Sequence, residues 1–238
     1  MAVDRGGRGL EKPGAGIAAA LHRCPLFAGL DRDALGPLAG AAVPVTVERR
    51  QRLYAQGEPP EAIFVIGAGR VRLCRVGRSD RALTLGYRIG GEIAGEEVLA
   101  GVAYRADAVA TERVNALRLP AGPVLDLAES TPGFGARLAR WEMERRLEVE
   151  ARIEALLTQP VESRVADFLT QTSERHGVPD PRGILIGVKL THQEIAGYVG
   201  STRETVTLVL GELRRRGLLT TDHRRLVITD TAGLRALT

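Results

Sequence analysis

Between Val43 and Leu119, short apolar runs alternate with glycine-centred breaks. AIFVIGAGRVRLCRV sets two apolar runs around Gly67, Ala68 and Gly69, which predicts a β-hairpin. LTLGYRIGGEIAGEEVLAG continues with a turn at Gly90 and Gly91, and ADAVATERVNALRLP alternates well enough for two further strands. Many short strands at close spacing predict a barrel or a sandwich.

The pattern then lengthens. GARLARWEMERRLEVEARIEALLTQP, Gly135 to Pro160, is dense in charge and free of internal breakers, so one long helix is expected, stopped by Pro160. Its apolar residues form two lines, Met143 with Leu147, and Val149 with Ile153 and Leu156. A helix with two apolar faces can pack on its own domain with one and on a partner helix with the other, so dimerisation is favoured here over an ordinary surface helix covering the barrel. Beyond it, Val161, Val165, Phe168 and Leu169 predict another helix, SERHGVPDPRG a polar loop, and ILIGVKL a short buried strand.

LTHQEIAGYVG carries a helix start. Thr191 is the expected N-cap, and Glu194 three residues later completes a capping box, with Leu190 and Ile195 placed as a hydrophobic staple. Ile195, Ala196 and Val199 form the inner face, and Gly200 suits a left-handed C-terminal position. Ser201 or Thr202 then caps RETVTLVLGELRRRG, where Val206, Val209, Leu210 and Leu213 recur at helical spacing. Two helices joined by so tight a turn form a helix-turn-helix.

The outward face of the second helix holds Arg203, Glu204, Thr207 and Leu208. Arginine pairs bidentately with guanine O6 and N7, glutamate accepts from cytosine N4, and leucine can touch a thymine methyl. Glu204 also lies three residues after Ser201, so a second capping box is the competing reading, and Leu208 could be a plain exposed apolar residue. LLTTDHRRLVIT reads as strand, turn, strand, a wing that offers Arg224 and Arg225 to phosphates.

Composition supports this picture only loosely. The chain of 238 residues has a net charge of +4, and of its 33 lysines and arginines only Lys12 and Lys189 are lysine. Clustering says more: Arg203 to Arg225 holds six arginines and three acids. Cys24 and Cys74 are far apart, which fits a reducing, cytoplasmic setting. His22 and Cys24 are an isolated pair and are read as structural, with no metal assigned. No stretch is long and apolar enough to cross a membrane. G-x-S-x-G, H-E-x-x-H and Walker motifs are absent, so an enzyme is not expected.

A strand-rich N-terminal half, a long helix and THQEIAGYVGSTRETVTLVLGELRRRGLL together resemble the CRP/FNR family of bacterial transcription factors, over roughly Leu21 to the C-terminus. GSTRETV carries the resemblance most strongly. It implies an α+β chain with a cyclic-nucleotide-binding-type β-roll over 21–132, a dimerisation helix over 133–159 and a winged helix-turn-helix over 160–238, while residues 1–20, with arginines and glycines but no long apolar run, are read from their own composition as a disordered tail and not a signal peptide. It further implies a homodimer on palindromic double-stranded DNA, with RNA polymerase as a partner. By the same match Arg203 and Glu204 read bases, while Thr191, His192, Gln193 and Thr202 correspond to phosphate-contacting positions. Leu208 stands where cyclic-AMP-binding members carry a second arginine.

GEEVLAGVAYRADAVA, Gly95 to Ala110, resembles the family's phosphate-binding cassette. The resemblance places Gly95 against the ligand, Glu96 on the ribose hydroxyl, Arg105 on the cyclic phosphate and the amides near Ala106 beside it. Glu97 and Asp107 bring negative charge to that phosphate, and Glu150 and Ala151 stand where cyclic-AMP-binding relatives place hydroxyls against the purine. A cyclic nucleotide is therefore a candidate effector but a doubtful one, and no cofactor is assigned. The competing function is a cyclic-nucleotide-binding module that regulates a partner through protein contacts.

Overall fold

The computed structural model describes residues 13–76, 82–223 and 225–238. The chain divides into two compact units. One holds the residues up to Arg75 with Gly86–Met143, the other Val76–Leu85 with Glu144–Thr238.

The first unit opens with α1 (Pro13–His22) and α2 (Arg32–Ala41). Residues 13–20 were expected in a disordered tail, but they form most of α1. Proline suits a first helical position, the run is rich in alanine, and Ile17 and Ala18 pack on the core beside the fully buried Leu21. Asp31 caps α2 by accepting from the Ala34 amide at 2.7 Å.

Eight strands follow among the described residues: β1 (Val43–Val47), β2 (Arg52–Tyr54), β3 (Ala62–Ala68), β4 (Arg70–Val76), β5 (Ala82–Ile89), β6 (Ile93–Ala94), β7 (Asp107–Ala110) and β8 (Val114–Pro120). A 3₁₀ turn, Glu96–Ala100, separates β6 from β7, and α3 (Ala121–Ser130) follows β8. The strands form two antiparallel four-stranded sheets, ordered β1-β8-β3-β6 and β2-β7-β4-β5. The hairpin expected around Gly69 is therefore not one. β3 and β4 lie in different sheets, and Gly69 is the corner where the chain changes sheet. Its φ is +85°, and a Cβ there would come within 2.9 Å of the Val114 Cα, so only glycine fits.

The unbroken apolar run of β3 is explained by burial on both faces. Ile63 and Val65 point into the cluster with Leu21, Phe27, Leu35 and Leu119, while Ala62, Phe64 and Ile66 point between the sheets. Ala106, Ala108 and Ala110 line that inter-sheet space, where Tyr54 stacks on Tyr104 at 4.0 Å. The Tyr104 hydroxyl donates to the Ala62 carbonyl at 2.6 Å and accepts from the Ala62 amide at 3.1 Å, so its polar end is satisfied inside.

α4 (Phe134–Thr158) is the long helix, and its residues from Glu144 onward belong to the second unit. Met143, Leu147, Val149, Ile153 and Leu157 are all exposed on it. Leu156 differs from the rest of its expected line: it is partly buried, with its Cδ2 against Gly200. α5 (Val161–His176) buries Val165, Ala166, Phe168 and Leu169. The expected polar loop after it is instead the end of α5 and β9 (Gly177–Asp180), because Val178 and Pro179 pair with β10 (Gly183–Ile186). Of β10 only Ile186 is fully buried.

α6 (His192–Val199), α7 (Arg203–Arg215), β11 (Leu219–Asp222), β12 (Arg225–Ile228) and α8 (Thr231–Arg235) complete the unit. Its sheet runs β11-β12-β10-β9. Among the described residues, no helix is long and apolar enough to cross a membrane.

Candidate nucleic-acid interface and sensor cassette

α6 starts where the capping residues place it. Thr191 Oγ1 accepts from the Glu194 amide at 3.1 Å, and Glu194 Oε2 accepts from the Thr191 amide at 2.7 Å. The helix ends at Gly200, with φ 64° and ψ 46°. Thr202, not Ser201, caps α7, accepting from the Thr205 amide at 3.1 Å. That choice decides the role of Glu204. It falls at the second helical position, outside any capping box, and makes no hydrogen bond or ion pair among the described residues.

Val206, Leu210 and Leu213 turn inward, and Val209 is partly buried. Arg203, Glu204, Thr207 and Leu208 face out, and Leu208 is 75% exposed. Gly211 adds to this open side, since a Cβ there would meet nothing within 4 Å. Arg203, like Glu204, has no side-chain partner among the described residues. Further along, Arg215 is held by Glu212 and Arg216 by Glu162 at 2.8 Å, while Arg214 is exposed.

Thr207 and His192 are tied together. Thr207 Oγ1 donates to the Arg203 carbonyl at 2.8 Å, so its lone pair must accept from His192 Nδ1, 2.7 Å away. Partial burial, then the charges of Arg214 and Arg203, hold the His192 pKa below its ordinary 6.5. Gln193 is exposed beside it, at the amide-rich start of α6. The wing forms as expected, with Asp222 opposite Arg225. Arg225 is partly exposed, and Arg224 lies outside the described residues.

In the first unit, Gly95 has φ 91°, and a Cβ there would lie 2.7 Å from the Ala62 carbonyl oxygen. Glu96 Oε1 accepts from Arg88 Nη2 at 2.8 Å, while Arg88 Nε donates to the Ile93 carbonyl at 2.8 Å. Burial works against the Arg88 charge, but Glu96 and Glu92 outweigh it and leave its pKa above the usual arginine value. Glu97 Oε1 accepts from the Arg105 backbone amide at 2.9 Å. A carboxylate therefore already occupies the backbone amide next to Ala106, and the Arg105 side chain is exposed. Asp107 was expected near the same place, but it is not there. Its neighbours Ala106 and Ala108 point between the sheets, so alternation turns Asp107 outward. It accepts from the Gln56 amide at 2.8 Å and lies 3.6 Å from Arg52. Glu150, in the second unit, accepts from Arg146 at 2.7 Å, and Ala151 is exposed.

Residues 44–131 match the cyclic nucleotide-binding domain and residues 163–237 the Crp-like helix-turn-helix domain. The global nitrogen regulator of Synechocystis sp. is 30% identical over 193 residues, which span 79% of this chain and 85% of that protein. The chain belongs to the CRP/FNR family of transcriptional regulators. Two proteins of Thermus thermophilus extend the likeness. Transcriptional regulator SdrP is 34% identical over 179 residues, covering 75% of this chain and 85% of its own. The crystal structure of a CRP-family regulator from the same organism aligns with a TM-score of 0.69 at 30% identity, covering 81% of this chain and 95% of that one.

As a CRP/FNR-family member the chain is a DNA-binding transcriptional regulator, with α6 and α7 as its helix-turn-helix. The cyclic-nucleotide fit is partial. Glu96 Oε2 is buried without a hydrogen bond and could meet a ribose hydroxyl, but the Glu97 carboxylate opposes the phosphate. Sequence reasoning missed Arg88, which holds Glu96, and also Arg152 and Arg164, which hold the end of α6. On a charge-dense chain, an arginine that reaches a carbonyl far away in sequence looks the same as one in water.

Proposed function

We propose that the chain binds a two-fold symmetric DNA site as a homodimer, with α7 in the major groove of each half-site, and regulates transcription there through contacts to RNA polymerase. The exposed face of α7 carries this reading. Arg203 and Glu204 stand side by side, unpartnered among the described residues, ahead of Leu208, on a helix whose other face is locked into the core. Arg203 reads a guanine, Glu204 a cytosine amine and Leu208 a thymine methyl. Thr191, His192, Gln193, Thr202 and Thr207 line the phosphates with the amides of the two helix starts, and Arg224 and Arg225 add the wing. Residues 21–132 serve as sensor, 133–159 as dimerisation helix and 160–238 as reader, with α1 joined to the sensor core.

Selection of bound sequences from a random duplex pool tests this directly. A palindromic consensus with a guanine in each half-site that Arg203→Ala no longer selects is the expected result. A non-palindromic consensus, or one unchanged by Arg203→Ala, would overturn it.

A further inference from the structure

The last carbonyls of a helix have no partner inside it. In α6, two arginines from other elements supply them. Arg164 Nε donates to the Val199 carbonyl at 2.8 Å. Arg152, on α4, reaches the Tyr198 carbonyl with Nε at 3.1 Å and Nη2 at 2.7 Å. Its guanidinium also lies over the Tyr198 ring, 4.3 Å from the centroid, and that ring packs on Phe168 at 4.7 Å.

A single cap would need no more than this, yet Arg152 does more. Nη2 donates to the Thr84 carbonyl at 2.6 Å and Nη1 to the Leu85 carbonyl at 2.8 Å. Thr84, Leu85, Arg152 and Tyr198 all belong to the second unit. Past Leu85, β5 runs on through Gly86 to Ile89. One planar fork thus joins the end of α6, just before the Gly200 turn into α7, to the Thr84–Leu85 backbone. Arginine suits the task because its donors are fixed in one plane, whereas a lysine ammonium is a point charge without that geometry.

We propose that Arg152 is a positioning residue for DNA recognition: its guanidinium holds the end of α6, at the turn into α7, against the Thr84–Leu85 backbone. This rests on the reading of α7 as the base reader. A plain helix cap would affect stability, and with it all DNA binding alike. A positioning residue affects the preference for the specific site.

The full-length protein and its Arg152→Ala, Arg152→Lys and Arg152→Gln variants are titrated with the selected palindrome and with a scrambled duplex, and their melting is measured in parallel. The expected result is a roughly tenfold loss of palindrome preference in every folded variant, with scrambled-duplex affinity unchanged. Lysine should restore melting but not preference. A preference within about twofold of wild type in Arg152→Lys overturns the proposal, as does parallel loss on both duplexes. Should none of the variants fold, Arg152 is a structural cap and the proposal falls too. Arg203→Ala, measured alongside, keeps the two readings apart. If it leaves the preference intact, α7 is not the reader. If it relaxes the preference and the Arg152 variants do not, only the role of Arg152 fails.

Discussion

Arg203 and Glu204 are held by nothing among the described residues, and this gives each a separable consequence. Arg203→Ala removes a bidentate donor without disturbing the buried Val206, Leu210 and Leu213, so it should cost about 1–3 kcal/mol of specific binding and relax preference at one guanine per half-site. Melting should not change. A matched set of duplexes, each altered at one position, reads this out. His192 makes a different kind of prediction. Its pKa is held down by burial and by Arg214 and Arg203, so the fold favours the neutral ring, with Nδ1–H given to Thr207. As pH falls below 6.5, the unfolded chain takes up this proton before the folded one does, so the contribution to stability declines until pH passes the depressed folded value. NMR should place the His192 midpoint below 6.5 in the free protein. If the ring lies by a phosphate, DNA should raise that midpoint. A midpoint indifferent to DNA would remove His192 from the interface.

Elements differ in how far their own residues determine them. α6 and the start of α7 were legible because Thr191, Glu194 and Gly200 act within one turn of the backbone they control. The cap of α7 remained open between Ser201 and Thr202 because both have the right chemistry; in the fold the Ser201 amide still closes α6 on the Ala196 carbonyl at 3.0 Å, and Thr202 is the cap. β3 and β4 were legible as strands but not as partners: Gly69 permits a tight hairpin and a corner between sheets alike, and the Arg113–Val114 backbone pressed against it decides. α2 and α3 went unseen because Pro37, Gly36 and Gly40 interrupt the first and Gly122 and Pro123 the second, and burial of Leu35, Leu38, Val124 and Leu127 outweighs those weak propensities. The two apolar lines of α4 were legible, but not which residue faced inward. That division now sharpens the test of assembly. Ile153 and Leu157 are exposed, the latter by 81%, so Ile153→Glu with Leu157→Glu should leave each chain folded, yield monomers by sedimentation and abolish tight palindrome binding. Leu156→Ala should keep the dimer and lower melting instead, because Leu156 packs by Gly200. In the wing, Arg225→Ala should weaken all duplexes alike and lower the slope of log affinity against log salt by about 1.

At the scale of the whole molecule the question is what controls DNA binding. The β-roll keeps the left-handed Gly95, Glu96 and Arg105 of a nucleotide cassette, yet the cassette already has an internal anion. Glu97 accepts the Arg105 amide, and Arg88 holds Glu96 in place without any ligand. Asp107 no longer counts against a ligand, since it faces outward, so the electrostatic objection rests on Glu97 alone. That single carboxylate is enough: two unit charges about 4 Å apart at an effective dielectric near 20 oppose each other by about 4 kcal/mol, comparable to what Arg105 can supply. Wild-type protein should therefore bind cyclic AMP weakly or not at all, and the unliganded protein should bind its palindrome with an affinity that cyclic AMP changes little. Glu97→Ala frees the amide and removes the charge, so its affinity for cyclic AMP should exceed that of wild type by about tenfold or more. Calorimetry on both proteins, with a DNA titration in the presence and absence of the nucleotide, separates the outcomes. Micromolar binding by wild type together with a large gain in DNA affinity would show that Glu97 yields to the phosphate and that Arg105 is a working ligand. If wild type and Glu97→Ala are equally indifferent, Glu97 is not what closes the site. The obstacle would then lie elsewhere in the β-roll.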